Sequence, residues 1–173
     1  MLVVGLDLAS VTGCADGCPG AIPRCFTWNL GKADRPAKLA KLLRFFGRYL
    51  AEQRPDAVFY EKPLPLGAGW GKGMSDDTAT LLRGAIGVVE AMAAAAALPV
   101  HGVTAAGARR YLVGSGRIER GQGKQAVWNA CRAMGWPVST LDESDACAIW
   151  AYGCGIMRKD CAHSSTPLFA SAS

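Results

Sequence analysis

Four acids in this sequence stand where an acid is costly or conspicuous. Asp7 ends the apolar run Leu2–Leu6, and Glu61 ends a second run, Ala57–Tyr60. A carboxylate at the end of a buried strand needs a hydrogen bond, a cation or a metal to compensate its charge. Asp142 and Asp145 lie three apart at the start of an apolar helical pattern, so they share a helix face. If the two strands run parallel and adjacent, Asp7 and Glu61 emerge at one sheet edge, where open α/β sheets carry their sites. Docking the helix start beside that edge puts three or four carboxylates around one point. Such a cluster repels itself, and some members stay protonated without a cation. Oxygen-only donors favour Mg²⁺ or Mn²⁺ over zinc. Two such ions suit in-line phosphodiester hydrolysis, one activating water and the other stabilising the leaving oxygen. Each acid also has a structural reading. Asp7 could cap a turn, Glu61 could be a solvated strand end, and Asp142 is a natural helix N-cap. Capping explains Asp145 poorly, because Ser144-Asp145-Ala146-Cys147-Ala148 is otherwise apolar and helical.

The elements that must position these acids follow from periodicity and breakers. Leu2–Leu6 reads as a strand buried on both faces. The small and polar residues ending in Gly13 predict a turn directly after Asp7. Gly13 to Leu30, rich in Gly, Pro and Cys, reads as one or two antiparallel strands. Gly31 to Arg54 reads as a helix whose apolar face is Leu39, Leu42, Leu43, Phe46, Tyr49 and Leu50, with Pro55 as its stop. Asp56 to Glu61 is the second core strand, ended by Lys62-Pro63-Leu64-Pro65. Leu66 to Met74 is a glycine-rich loop holding Trp70 and Lys72, of a length more often functional or mobile than structural. Ser75 to Leu98 is a second helix, whose Gly84, Gly87 and alanines suit close packing on the sheet or on a second copy. Pro99 to Val103 is a third core strand. A helix from Thr104 or Ala105 to Val113, a loop at Gly114–Arg117, a helix Gln122–Met134 and a last helix Asp142–Ile156 complete the order. The expected architecture is a single α/β domain, residues 1–157, with a mixed sheet flanked by helices and a flexible tail at 158–173.

Composition bounds the function. The chain has 173 residues, half of them hydrophobic, and a net charge of +5. The charge permits a polyanionic partner. It is concentrated between Thr104 and Gly135, where Arg109, Arg110, Arg117, Arg120, Lys124 and Arg132 face only Glu119. The longest apolar stretch, Ala85 to Val100, is broken by Gly87, Glu90 and Pro99, so no membrane span is expected. No basic leader precedes an apolar core, and a cytoplasmic protein is expected. Seven cysteines without a CxxC pair read as free thiols. Cys14, Cys18 and Cys25 are too few for a structural zinc, and Cys131 and Cys147 fall in helical core patterns.

With these residues in place, the chain resembles the RuvC family of Holliday-junction resolvases, within the ribonuclease H-like superfamily. The resemblance runs from Met1 to Ile156. Gly5-Leu6-Asp7 through Thr12-Gly13 is similar to the family's first strand, one residue shorter before the Thr-Gly pair. Val58-Phe59-Tyr60-Glu61 matches a later strand ending in Glu. Gly114-Ser115-Gly116 and Lys124-Gln125-Ala126-Val127 match a Gly-x-Gly loop and basic helix. Asp142-Glu143-Ser144-Asp145-Ala146 matches the closing pair of acids. The resemblance implies a ribonuclease H-like fold and a homodimer that binds four-way DNA junctions and nicks two strands of like polarity with Mg²⁺ or Mn²⁺, two ions per site. It implies Asp7, Glu61, Asp142 and Asp145 as metal ligands, with Lys124 on the phosphate or the transition state. Lys62, Trp70, Lys72, Arg117, Arg120 and Lys124 are the DNA-binding candidates. Trp70 is the candidate wedge, because no aromatic residue follows Glu61 closely as in the family. Such a chain would serve recombination and repair in a bacterium or, if phage-encoded, in its host's cytoplasm. The alternatives are a YqgF-like nuclease acting on RNA or branched DNA, and a catalytically inactive nucleic-acid-binding module. A sugar-kinase-like ATPase would need a second lobe and a longer chain.

Overall fold

A computed structural model describes residues 1–63, 75–114 and 121–158. Its centre is one mixed sheet of β1 (Val3–Asp7), β2 (Val11–Gly17), β3 (Arg24–Asn29), β4 (Ala57–Glu61) and β5 (Val100–Val103), ordered β3-β2-β1-β4-β5. β1 is central, antiparallel to β2 and parallel to β4. The parallel register sets Val3 beside Ala57 and Leu6 beside Tyr60, so Asp7 and Glu61 leave the sheet at one level.

Side-chain alternation then decides which side they leave on. Val3, Ala57 and Phe59 pack into one core, under α3 (Ala105–Val113), α4 (Gly123–Ala133) and α5 (Leu141–Met157). Val4, Leu6, Val58 and Tyr60 pack into the other, under α1 (Arg35–Gln53) and α2 (Asp76–Ala95). By the same parity Asp7 and Glu61 fall on the α5 side.

α5 is buried on nearly every side, as expected of a helix apolar all round. It lies flush on the sheet because glycines make room. A Cβ on Gly5 would stand 2.5 Å from the Trp150 nitrogen and 2.6 Å from the Ala146 carbonyl oxygen. A Cβ on Gly13 would overlap the Asp142 carbonyl. The indole N–H of Trp150 donates to the Gly17 carbonyl at 3.2 Å and ties the helix to β2.

Three local expectations change. Gly13 is not in a turn: it sits in β2 opposite Asp7, and the chain reverses between these strands instead. Its missing side chain serves the approach of α5. Leu43 is not on the apolar face of α1 but 49% exposed, while Leu42, Phe46 and Tyr49 are buried. Asp142 is not the N-cap of α5. Thr140 is, accepting from the Glu143 N–H at 3.1 Å, while the Glu143 carboxylate accepts from the Ser139 N–H at 2.6 Å.

By length and composition α2 could cross a membrane. Here Ala85, Val89 and Ala93 pack it into the core beneath the sheet, beside Leu42 and Phe46 of α1. Cys131 and Cys147 are fully buried. Cys14 and Cys25 pack into opposite cores, so the early cysteines do not gather.

The glycines predict opposite responses to one added methyl. Gly5→Ala forces α5 off β1 and should cost about 3 kcal/mol in urea unfolding. Gly87→Ala, with nothing within 4 Å of the new Cβ in a helix interior, should instead stabilise by roughly 0.5–1 kcal/mol.

Candidate active site

The site forms where the two parallel strands end beneath the N-terminus of α5. Asp7 comes from the end of β1 and Glu61 from the end of β4. Asp142 and Asp145 come from the first turns of α5, whose acids suit its positive end. Asp145 is almost fully enclosed, whereas the Asp142 side chain is 37% exposed.

Two cations reach in from the neighbouring helices. The Lys124 ammonium, at the start of α4, is 3.1 Å from Asp145 Oδ2 and 3.7 Å from Asp142 Oδ1. A cation at a helix N-terminus works against the helix dipole, so α4 gains nothing from it. The acids it faces account for its place. Arg109 of α3 donates from Nη2 to Asp145 Oδ1 at 3.3 Å and to Oδ2 at 3.4 Å, and from Nε to Oδ1 at 3.4 Å. Gly123 lies against this guanidinium: a Cβ there would be 3.3 Å from Arg109 Nη1.

The electrostatics show one coupled cluster. Burial first, then the charges of Glu61 and Asp145 and more weakly that of Asp142, push the Asp7 carboxyl up to about 7, against the pull of Lys124. Burial also raises Glu61, with Arg109 opposing. Burial disfavours the Lys124 charge, yet its bond to Asp145 and the fields of Asp145, Asp7 and Asp142 raise its pKa overall. Asp7 is therefore held against ionisation first by its burial and then by its acidic neighbours, with Lys124 offsetting only part of this.

Of the candidates read from the sequence, Asp7, Glu61, Asp142, Asp145 and Lys124 lie within reach of one another's charge, and Lys124 pairs directly with Asp145 and Asp142. Lys62 is exposed just beyond it, its backbone N–H donating to the Val103 carbonyl at 2.8 Å. Trp70, Lys72, Arg117 and Arg120 lie outside the described residues. Arg109 is the residue that sequence reading missed, having counted it only as part of the local positive charge. Helical spacing held the signal. Arg109 is three residues before buried Leu112, on the inward side of α3, while Arg110 is exposed.

The donor chemistry fits a hard divalent cation: four carboxylates, with Asp7 held against ionisation by burial and then by its acidic neighbours. The positions fit less completely. Among the described residues, no three His, Cys, Asp or Glu side chains stand close enough together to hold a metal ion. Lys124 and Arg109 hold Asp145, and Lys124 also draws Asp142.

No family model and no curated protein matches the sequence. Solved structures do match the fold. Thermus thermophilus RuvC in complex with a Holliday junction substrate aligns at a TM-score of 0.69 and 18% identity, over 91% of this chain and 96% of that one. Another Thermus thermophilus RuvC structure aligns at 0.70 and 19%, over 92% and 97%. The yeast mitochondrial Holliday junction resolvase aligns at 0.63 and 12%, over 93% and 80%. The chain has the RuvC-like form of the ribonuclease H-like fold.

The Asp7 environment predicts a pH dependence of stability without metal. Its folded pKa of about 7 lies above the usual carboxyl value, so the folded state holds the proton more tightly than the unfolded one. The resulting stability is complete below about pH 4 and is lost as pH rises through about 7. At about 1.4 kcal/mol per pH unit crossed, urea unfolding in EDTA should show a loss of a few kcal/mol between pH 4.5 and pH 8. Asp7→Asn should flatten that slope and leave the variant more stable than the parent at pH 8.

Proposed function

We propose that this chain is a divalent-metal-dependent endonuclease that cuts four-way DNA junctions as a homodimer. One observation carries the reading. A RuvC-like fold carries Asp7 and Glu61 at adjacent strand ends, and the charges of Glu61, Asp145 and Asp142 reach the buried Asp7, while Lys124 and Arg109 pair with Asp145. Burying such carboxylates costs stability and adds nothing to packing, which is the usual signature of a functional site.

The chain's own groups divide the work. Asp7 and Glu61, on the rigid central strands, would hold the metal from the sheet, and Asp142 and Asp145 would hold it from the helix above. The divalent ions, when bound, would supply an acidified water and positive charge opposite the leaving oxygen. Lys124, on a long side chain and half exposed, would leave the carboxylates for the scissile phosphate and balance the charge that builds there. Arg109 would keep Asp145 aimed at the metal through its contacts to both oxygens. The start of α5, packed over Gly13, would close the site on the helix side. Two copies of this site, one per protomer, would nick two strands of the junction.

The test is cleavage of labelled four-way junction, linear duplex, flap and RNA substrates with Mg²⁺ or Mn²⁺. Junctions should be nicked, and EDTA should stop the reaction. Asp7→Asn should lower the rate about a thousandfold or more, the several kcal/mol that metal-held charge supplies, while the protein stays folded and binds junctions. Cutting RNA or linear duplex while junctions stay intact would overturn the substrate. Cutting none of them would overturn the nuclease reading.

A further inference from the structure

The sheet has a second face, and its covering helix carries charge that the active-site cluster does not use. On α1, Lys38, Lys41, Phe45 and Arg48 follow at spacings of three, four and three, so they form one stripe. It runs beside the buried positions Leu42, Phe46 and Tyr49, and all four of its residues are partly or fully exposed.

The stripe joins two hollows. The first, about 360 Å³, lies between the connection after β1 and the N-terminal turns of α1 and α2, with Ser10 and Lys38 in its lining. There the Lys38 ammonium donates to the Ser10 hydroxyl at 3.3 Å across 28 residues of sequence. Ser10 is only three residues past Asp7, within about 10 Å of chain. The second hollow, about 450 Å³, lies at the outer edge between β3 and α1, with Phe26, Phe45 and Arg48 among its lining. Between the hollows, Lys41 sits 5.5 Å above the Phe45 ring, which stacks on Trp28.

The nearby acids are largely committed elsewhere. Asp34 caps α1 through the Ala37 N–H, and Asp16 is buried under Arg24 and Tyr49. Glu52 pairs with Arg48 at 2.8 Å, on side chains 54% and 78% exposed. Asp34 and Asp77, the latter at the positive end of α2, both remain in the lining of the first hollow. Arg35 and Arg44 on α1, and Lys32 just before it, add further exposed positive charge.

We infer that α1 is a DNA track, a basic and aromatic stripe that carries the sugar-phosphate backbone of a substrate arm away from the site. The inference rests on the proposed junction nuclease and extends it to a surface on the other side of the sheet. From Lys38 to Arg48 the helix rises about 15 Å, which spans roughly four base-pair steps of duplex. Lys38, Lys41 and Arg48 each meet a phosphate, and the half-buried Phe26 and Phe45 meet the sugars between them.

Fluorescence anisotropy of a labelled four-way junction, titrated with protein in EDTA from 50 to 200 mM KCl, tests this. The triple variant Lys38→Ala/Lys41→Ala/Arg48→Ala should bind on the order of tenfold or more weakly. Its slope of log affinity against log salt should be shallower by about 2 to 3, because three phosphates keep their counterions. Glu52→Gln, which frees Arg48 and leaves the other basic residues alone, should tighten binding by up to about fivefold. Parent-like affinity and slope in the folded triple variant would overturn the track. So would an unchanged Glu52→Gln, which serves alone if the triple variant does not fold. A parent protein that binds no junction at all would overturn the proposed function itself, a result read without any variant. Tighter binding to RNA of the same length would overturn the assignment to DNA.

Discussion

The structure depends on one electrostatic constraint: several carboxylates share a poorly hydrated edge of the sheet with too little positive charge. Asp7 bears the constraint most heavily: it is buried at the end of the central strand, acids lie near it, and Lys124 opposes only in part. Removing a carboxylate from water is costly unless its charge is met. The fold meets it with Arg109 on α3 and Lys124 on α4, both reaching Asp145. Neither touches a carboxylate for the benefit of its own helix. Three helices and two strands therefore converge on one point for reasons that core packing alone does not require.

That convergence needs a thin layer between helix and sheet. α5 can bring Asp145 down to the strand ends only because Gly5 and Gly13 present no side chain to its backbone. The Thr140–Glu143 cap satisfies the helix end without using Asp142, which leaves that acid free to face the cluster. Parity completes the arrangement, since one-residue slips in β1 or β4 would send Asp7 or Glu61 to the α1 side of the sheet. The site is thus a consequence of register and small residues, and the stability it forgoes is concentrated at Asp7.

Much of this was legible in the sequence. Two apolar runs ending in acids, and an acid inside an apolar helix, marked Asp7, Glu61 and Asp145 as candidates through the cost of burying charge. The mixed α/β order followed from periodicity and breakers. What stayed hidden depended on tertiary contact. Gly13 looked like a turn residue because its partner, the Asp142 backbone, is more than a hundred residues away. Asp142 looked like a cap because Thr140 is as good a cap two residues earlier. Arg109 was one arginine among several until the helix packed and turned it inward. Lys38 and Lys41 lie off the apolar face of α1, and only the hollows at each end of their stripe set them apart.

If the cluster is a metal site, Asp7 completes its ionisation when a divalent cation joins it. Isothermal titration calorimetry with Mn²⁺ near pH 6.5, in two buffers of different ionisation enthalpy, measures this without any substrate. Mn²⁺ should bind and release a substantial fraction of a proton as it does so. Asp7→Asn should lose that release and bind the ion more weakly. No Mn²⁺ binding, or binding without proton release that is the same in Asp7→Asn, would refute the coupling of Asp7 to the metal.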